Sequence, residues 1–515
     1  MKRKKITALL LTGAMAMATL TGCGGDSKTS GQTDRNTEAS NEAEDAGGED
    51  ADKEQGDPYT VAIQVVNISP ELPDIEMVEN AINEITVPAI NCKVDIQNLF
   101  IGDLPTTTSM NIVGGEKMDI VALGLTQKLE NVYDAGILMP LDDYLQYAPE
   151  YTELVKDYMM VGNIDGTQYA LPVSPYGAHS TGCVYNKDMA DTYGITLEDG
   201  ITFDDLTEAF QVLKENGIYG TSMGQASSLQ LQFFYNIELY GSSGSCGMIA
   251  DPAVGTKIES VFGSDQFREF CNRMKEWTEA GYMPADSLTD TTTVQEYLKN
   301  EKLFCTFTNY DISQFGTWAA GNDFTIDIVQ ITDPVVSTSS LVENMWGLAS
   351  NCENPQKAME FLNYIYVNPD VANLLQYGIE GQHYTIVEGT EGVTTPQGSA
   401  AGQDGYMSGF THYGDPTKIY AASPNTDNYA DDVIAFNKDV PVSATLGYTF
   451  DVSNVSAEMG AVDNVIAEYL PRLQAGQNSD VDALLAEFSE KLTTAGYDDI
   501  IAENQKQLDE FLAGK

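Results

Sequence analysis

The sequence has little basic charge and little histidine. Its 515 residues carry 26 Lys and Arg against 77 Asp and Glu, so the formal net charge is −51. A chain this acidic repels phosphate backbones, which argues against nucleic-acid binding. The three histidines, His179, His383 and His412, do not lie near a Cys, Asp or Glu cluster at metal-ligand spacing. The sequence therefore predicts no metal site and no cofactor.

Short catalytic motifs are also missing. The sequence contains no GxSxG, GxxxxGK[ST] or GxGxxG pattern. Carboxylate pairs such as Asp142-Asp143 are common in a chain with this many acids, and most of them lie on solvated faces. The cysteines that follow Cys23 have no CxxC spacing; the sequence cannot fix their pairing and favours free thiols. Nothing in these patterns predicts an enzyme.

The first 22 residues predict a lipoprotein signal peptide. Met1 is followed by Lys2-Arg3-Lys4-Lys5 and then by an apolar run over 6–20, too short to span a bilayer comfortably. The run ends in Leu-Thr-Gly-Cys at 20–23, which matches the bacterial lipobox and predicts cleavage before a diacylated Cys23. The alternative is an ordinary signal peptide with a chance cysteine. No later stretch reaches 18 uninterrupted apolar residues, so no second membrane span is expected.

Residues 23–57 predict a disordered acidic tether. They are mostly Gly, Ser, Thr, Asp and Glu, with almost no large apolar side chain. Such a segment buries too little surface to offset its ordering entropy, and like charges keep it extended.

The rest of the chain predicts an α/β fold with two lobes. At roughly 150 residues per domain, the length allows two or three domains. Strand patterns at 59–65, 93–97 and 119–124 alternate with helix-length segments, which favours an open, mostly parallel sheet. A helical middle separates 59–123 from a second strand-rich stretch at 303–331, and the C-terminal part is helical. This order suits two lobes between which the chain crosses more than once.

Several segments together resemble the extracellular solute-binding lipoproteins of bacterial ABC importers. The resemblance is to the maltose-binding-protein-like class, and within it to a Gram-positive subgroup with a C-terminal domain of unknown function. It rests on these segments in this order: 118–124 (MDIVALG), 136–144 (GILMPLDDY), 165–172 (DGTQYALP), 185–188 (YNKD), 354–363 (NPQKAMEFLN), 377–384 (YGIEGQHY), 446–451 (LGYTFD), 495–497 (AGY) and 503–509 (ENQKQLD).

The resemblance implies a periplasmic-binding-protein-like fold of type II, each lobe a mostly parallel sheet flanked by helices. It places 58–172 and about 303–345 in the N-terminal lobe. About 173–302 and 346–515 form the C-terminal lobe with its helical tail. The chain would cross between the lobes near 170–176 and again near 344–348.

The implied function is capture of a small polar solute, a mono- or oligosaccharide, and its delivery to the transmembrane subunits of an ABC permease. The protein would be a monomer without chemistry of its own, held on the outer face of the cell membrane by its lipid alone. An exported carbohydrate-active enzyme and a surface adhesion lipoprotein remain open alternatives, and a peptide remains an alternative ligand.

Family layout places the ligand-binding residues at strand ends and crossings. Tyrosine and tryptophan offer flat faces to sugar rings, and Gln, Asn and Glu offer hydrogen bonds to hydroxyl groups. Two predicted residues have a competing structural interpretation: Trp346 as a core residue and His383 as a cap or bridge. The predicted ligand-binding residues are Thr126, Gln127, Ser174, Tyr176, Gln225, Asn309, Tyr310, Trp346, Glu380, His383 and Tyr384.

Overall fold

A computed structural model describes most of the chain after residue 55. The described residues are 56–67, 69–124, 127–223, 228–241, 243–319, 324–387, 392–394, 405–406, 413–422 and 428–514. The predicted signal peptide and nearly all of the tether lie outside this part, as do Cys23, Thr126 and Gln225. Residues 55–515 form one compact unit.

Strands and helices alternate through the first half, and helices dominate the C-terminal end. The strands are β1 (Tyr59–Asn67), β2 (Cys92–Phe100), β3 (Ile120–Gly124), β4 (Asn163–Ile164), β5 (Thr167–Gln168), β6 (Ala170–Pro172), β7 (Ala178–Asn186), β8 (Glu238–Leu239), β9 (Met248–Ile249), β10 (Cys305–Tyr310), β11 (Ile326–Gln330), β12 (Val335–Val336), β13 (Asn344–Leu348), β14 (Thr385–Ile386), β15 (Gly392–Thr394) and β16 (Ala421–Ala422).

The α-helices vary from one turn to five. They are α1 (Ile75–Ile90), α2 (Leu104–Gly114), α3 (Leu129–Asp134), α4 (Pro149–Val155), α5 (Lys187–Tyr193), α6 (Phe203–Lys214), α7 (Asp265–Ala280), α8 (Val294–Lys299), α9 (Gln314–Ala319), α10 (Thr338–Val342), α11 (Pro355–Val367), α12 (Pro369–Tyr377), α13 (Tyr429–Asn437), α14 (Ser456–Gln474), α15 (Val481–Ala495) and α16 (Tyr497–Gly514). Five short 3₁₀ turns cover Ile101–Asp103, Leu145–Tyr147, Lys156–Gly162, Gln230–Phe233 and Val452–Val455.

The first sheet has the order β2-β1-β3-β13-β6. Strands β2, β1 and β3 are parallel, whereas β13 runs antiparallel to both β3 and β6. Strand β1 is buried from Val61 to Asn67, as expected for a strand covered on both faces. Helices α1, α11 and α12 supply much of the apolar layer on one face of this sheet, which we call the first core.

The second sheet joins β10, β7 and β11, with β12 also paired to β7, and all of these pairs are antiparallel. The expectation of a mostly parallel sheet in each lobe is therefore wrong for this one. Residues 187–304 form a long excursion between β7 and β10 that contains α5–α8, and such a connection leaves the direction of the returning strand open. Helices α6, α7 and α14–α16 pack with this sheet in the second core.

Local signals in the sequence explain how several helices begin. The Thr202 hydroxyl accepts a hydrogen bond from Asp205 N–H while the Asp205 carboxylate accepts from Thr202 N–H, which forms a capping box at the start of α6. Asn354 caps α11 by accepting a hydrogen bond from Lys357 N–H, with Pro355 at the first helical position. The described cysteines after Cys23 are all free thiols. Among the described helices none has the length and apolarity needed to cross a bilayer.

Strand pairing changes the predicted division of the chain between the lobes. Strand β10, which the prediction gave to the N-terminal lobe, pairs with β7 from Cys305↔Tyr185 to Tyr310↔Ser180 in the second sheet. Helices α11 and α12, which the prediction gave to the C-terminal lobe, pack in the first core. Both assignments are wrong, because a strand or helix pattern shows the element but not its tertiary partner.

Within the described ranges, the chain passes between the two sheets three times, whereas the prediction named two crossings. The first passage, 173–177, joins β6 to β7, and the second, 331–343, joins β11 to β13. The third passage runs from α13 to residue 445. Its residues are hydrogen-bonded to the neighbouring segments: Ala178 N–H donates to Asn437 Oδ1, Val336 N–H donates to the Pro441 carbonyl, and Ala444 N–H donates to the Pro252 carbonyl. The two sheets are thus tied together by neighbouring segments at one edge.

Candidate functional site

Aromatic and polar side chains meet where the three passages run side by side. Tyr176, from the first passage, packs with Ile312 against Tyr429 and Val433 of α13. Tyr310 pairs in register with Ser180 near the start of β7, so the end of β10 reaches the same place. We call the group Tyr176, His179, Tyr310, Asp311, Glu343 and Tyr429 the junction site.

The tyrosine rings of the junction site are partly or largely buried. Burial raises the pKa of Tyr176, and the Asp415 carboxylate adds to this rise. Burial likewise raises the pKa of Tyr310, with Asp199 and Asp311 adding to it, and the Tyr310 ring lies edge-on to Phe436 at 5.7 Å. These phenols stay neutral at physiological pH, so they offer flat rings and hydroxyl groups that both donate and accept hydrogen bonds.

The acids and the histidine of the site come from different elements. His179 Nε2 lies 3.6 Å from Asp311 Oδ2, while Asp311 Oδ1 accepts hydrogen bonds from Ser313 N–H and Oγ–H. Burial raises the pKa of Glu343; His179 opposes this rise and Asp311 adds to it. No group of three or more His, Cys, Asp and Glu among the described residues is arranged to hold a metal ion.

Four of the predicted ligand-binding residues lie on the segments that meet here. Ser174 and Tyr176 share one turn, in which Tyr176 N–H donates to Ser174 Oγ at 3.1 Å. Asn309 is exposed and precedes Tyr310 at the end of β10. The structure thus offers an amide, a hydroxyl and two phenols on adjoining segments.

Gln127 is buried and holds its own turn together. Its Nε2 donates to Ala122 O at 2.7 Å, and its backbone exchanges two hydrogen bonds with Gly124. The amide that was predicted to reach a ligand is therefore engaged within the protein.

Trp346 belongs to the first core, which is the alternative that the sequence left open. Its side chain is 1% exposed and packs near Tyr413 at a centroid distance of 5.7 Å. Strand β13 is an interior strand of the first sheet, between β3 and β6, and its Trp346 side chain points into the core.

His383 also has a structural role in the described fold. It is fully buried, its Nδ1 accepts from Ile379 N–H at 2.9 Å, and its Nε2 lies 3.2 Å from Asp74 Oδ2 at the start of α1. Because Nδ1 is an acceptor, the proton of the neutral ring sits on Nε2 and donates to Asp74. Tyr384 is buried with Tyr377 and Tyr420, and Glu380 is exposed nearby.

Sequence reasoning missed His179, Asp311, Glu343 and Tyr429 as members of this site. Asp311 had a usable signal, since it directly follows Tyr310 at a predicted strand end. His179 lies at the start of β7, and Glu343 and Tyr429 come from the second and third passages, so their meeting depends on how the strands and passages pack.

Comparison with known proteins agrees with this architecture. Residues 91–372 match the model of the family described as bacterial extracellular solute-binding protein. Residues 444–513 match a domain of unknown function (DUF3502), and α14–α16 of that segment belong to the second core.

One relative with a curated description, a carbohydrate ABC transporter substrate-binding protein of Streptococcus pneumoniae, is 26% identical over 475 residues, covering 90% of this chain and 93% of its own. Among solved structures, an N-glycan transport solute binding protein of S. pneumoniae is 23% identical, with a TM-score of 0.77, covering 88% of this chain and 99% of its own. An HMO-binding, ABC-transporter-associated solute binding protein of Bifidobacterium longum infantis is 17% identical, with a TM-score of 0.60, covering 88% of this chain and 99% of its own.

These structural likenesses show the two-lobed fold, and the family match covers more than half of the chain. The predicted fold class and the predicted family are confirmed. The chain belongs to the bacterial extracellular solute-binding proteins of ABC transporters.

Proposed function

We propose that this protein is the sugar receptor of an ABC importer, which captures a mono- or oligosaccharide at the junction site and delivers it to the permease. The observation that carries the proposal is the packing of Tyr176 with Tyr429, close to Asp311 and to the end of β10 that bears Tyr310, where the chain passes between the two sheets. The sugar specificity of the relatives supports it.

The chemistry of this site suits a pyranose ring. Tyrosine faces pack against the C–H groups of a sugar, while carboxylate and amide groups bond its hydroxyls. The solved relative has structures in complex with Man1GlcNAc and Man5GlcNAc, so a mannose- and N-acetylglucosamine-containing glycan is the first ligand to test.

A hinged pair of lobes gives such a site its selectivity. A ligand that contacts both lobes stabilises the closed arrangement by the difference between its affinities for the two states. Glu343 lies against the end of β3 in the first sheet and Tyr310 belongs to the second sheet, so a sugar that touches both would favour closure.

The receptor acts outside the membrane and is held there by lipid. The family is extracellular, and the lipobox at 20–23 supports diacylation of Cys23. We expect a monomer that reaches the permease by diffusion at the membrane surface. A Cys23→Ser variant should leave the membrane fraction, and intact mass of the wild type should show the added acyl chains.

In this proposal the protein binds the ligand and does not convert it.

The test is a thermal-shift screen of the fragment 55–515 against neutral glycans, acidic glycans and short peptides. A ligand at 100 times its dissociation constant adds about 2.7 kcal/mol to stability, so a binder is detectable. A glycan that stabilises the fragment and is recovered unchanged supports the receptor, whereas consumption of the glycan would indicate an enzyme. Stabilisation by peptides alone would overturn the sugar assignment, and silence with every glycan would favour adhesion.

A further inference from the structure

We infer that Glu343 determines ligand specificity at the junction site: its carboxylate favours neutral or cationic sugars and rejects sugars that carry a carboxylate. This inference rests on the proposed function, since it names the class of sugar that the same site accepts.

The position of Glu343 is fixed by tight backbone packing. It is the last residue of the second passage and directly precedes β13, whose Asn344 pairs with Gly124 at the end of β3. A Cβ on Gly124 would lie 2.0 Å from the Glu343 carbonyl oxygen, and the φ of +100° at Gly124 also favours glycine. The backbone of Glu343 therefore rests directly on the turn that ends β3, at the edge of the first sheet that faces the passages.

The Glu343 side chain is open to solvent and has His179 and Asp311 among its charged neighbours. The residue is exposed to solvent, and yet burial is the largest cause of the rise in the pKa of its carboxyl group. These two observations agree when water reaches the carboxylate from one side while protein surrounds it on the others. A carboxylate in that setting is accessible to a ligand and is less screened by bulk water than one on an open surface.

The charges that face this place are mostly negative. Asp311 reaches it from β10 and His179 from β7, and their side chains lie 3.6 Å apart. Asp432 of α13 and Asp199 also act on the neighbouring Tyr310. Lys418, the lysine near Tyr176, already pairs with Asp415 at 3.0 Å. A ligand carboxylate placed here would meet like charge, whereas hydroxyl or ammonium groups would find acceptors.

The test compares two sugars that differ by one carboxylate. The probes are mannosyl-N-acetylglucosamine and its C6-oxidised counterpart, mannuronosyl-N-acetylglucosamine. Their dissociation constants for the fragment 55–515 are measured by isothermal titration calorimetry at low ionic strength. Variants are Glu343→Gln, which removes the charge, and Glu343→Asp, which keeps it. Glu116→Gln is the control, since Glu116 is exposed beside the opposite end of β3.

We expect the wild type to bind the neutral sugar at least about tenfold more tightly than the acidic one, since like charges in an interface are strongly unfavourable. Glu343→Gln should reduce this ratio severalfold, while Glu343→Asp and Glu116→Gln should keep it. Equal binding of both sugars by the wild type, or an unchanged ratio in a folded Glu343→Gln variant, would overturn the inference and leave the receptor function standing. Absence of binding to both sugars, and to the wider glycan screen, would contradict the proposed function and this inference with it.

Discussion

Replacement of Trp346 separates a core role from a ligand-contact role. The indole is 1% exposed in the first core, and truncation of a buried aromatic residue to alanine costs about 3–5 kcal/mol. The unfolding entropy is about 2 cal/mol/K per residue, so in a fold of this size a loss of about 1 kcal/mol in unfolding free energy lowers the melting temperature by about one degree. Trp346→Ala should therefore lower the melting temperature by roughly 3–5 °C. Affinity for the ligand should change little.

Differential scanning calorimetry and a ligand titration on the same variant give both quantities. Trp318→Ala serves as the control because Trp318, on α9, is only half-buried and should cost less stability. A Trp346→Ala variant that melts like the wild type but no longer binds sugar would refute the assignment of Trp346 to the core.

Three further predictions concern other buried groups. His383→Ala should lose about 1–3 kcal/mol of stability, because the Ile379 N–H loses its acceptor and Asp74 loses one of its donors while keeping Gln382. Sugar affinity should be retained. Chemical denaturation measures the stability, and loss of affinity without loss of stability would contradict the structural role of His383. Burial raises the pKa of Glu238 above its usual value, although the Ser443 and Thr445 hydroxyls donate hydrogen bonds to it. The protonated carboxyl group therefore contributes to the stability of the fold below the usual pKa, and this contribution is lost as the pH rises through the pKa of the folded protein. Melting temperatures from pH 4 to 8 should thus fall more for the wild type than for Glu238→Gln, and parallel curves would show that the carboxylate does not titrate as expected. Burial also raises the pKa values of Cys92, Cys246 and Cys271, so a thiol reagent should modify them only after denaturation; fast modification of the folded protein would contradict their placement.

Local features of the fold were predictable because they depend on neighbouring residues. The capping box at Thr202 and the Asn354-Pro355 start of α11 need only residues three or four positions apart. The strand patterns of β1 and β3 and the core stripe of α7 around Trp277 were equally visible.

Strand partners and the third passage could not be predicted in the same way. The hydrogen bonds of β10 are made with a strand more than a hundred residues earlier, and the pattern of β10 is the same whichever sheet it joins. For the same reason the antiparallel order of the second sheet and the packing of α11 on the first core are visible only in the folded chain.

Some residues of the candidate site could be predicted from the sequence, and others depend on tertiary packing. Tyr176, Asn309 and Tyr310 follow from the rule that ligands meet strand ends and crossings. Trp346 and His383 are chemically suitable for sugar binding, but burial and internal hydrogen bonds occupy them. Glu343 and Tyr429 come from passages whose paths depend on tertiary packing, so residue type alone gave no signal for them.

The most direct test of the central claim is a calorimetric titration of the fragment 55–515 with mannosyl-N-acetylglucosamine. The wild type should bind in a saturable 1:1 complex, and Tyr176→Ala should weaken binding about tenfold or more through loss of the ring at the junction site. Tyr193→Ala, at the half-buried end of α5 after the far end of β7, should leave the affinity unchanged. Binding that is equally strong in Tyr176→Ala, or heat released only by peptides, would contradict a sugar receptor whose ligand lies at the junction site.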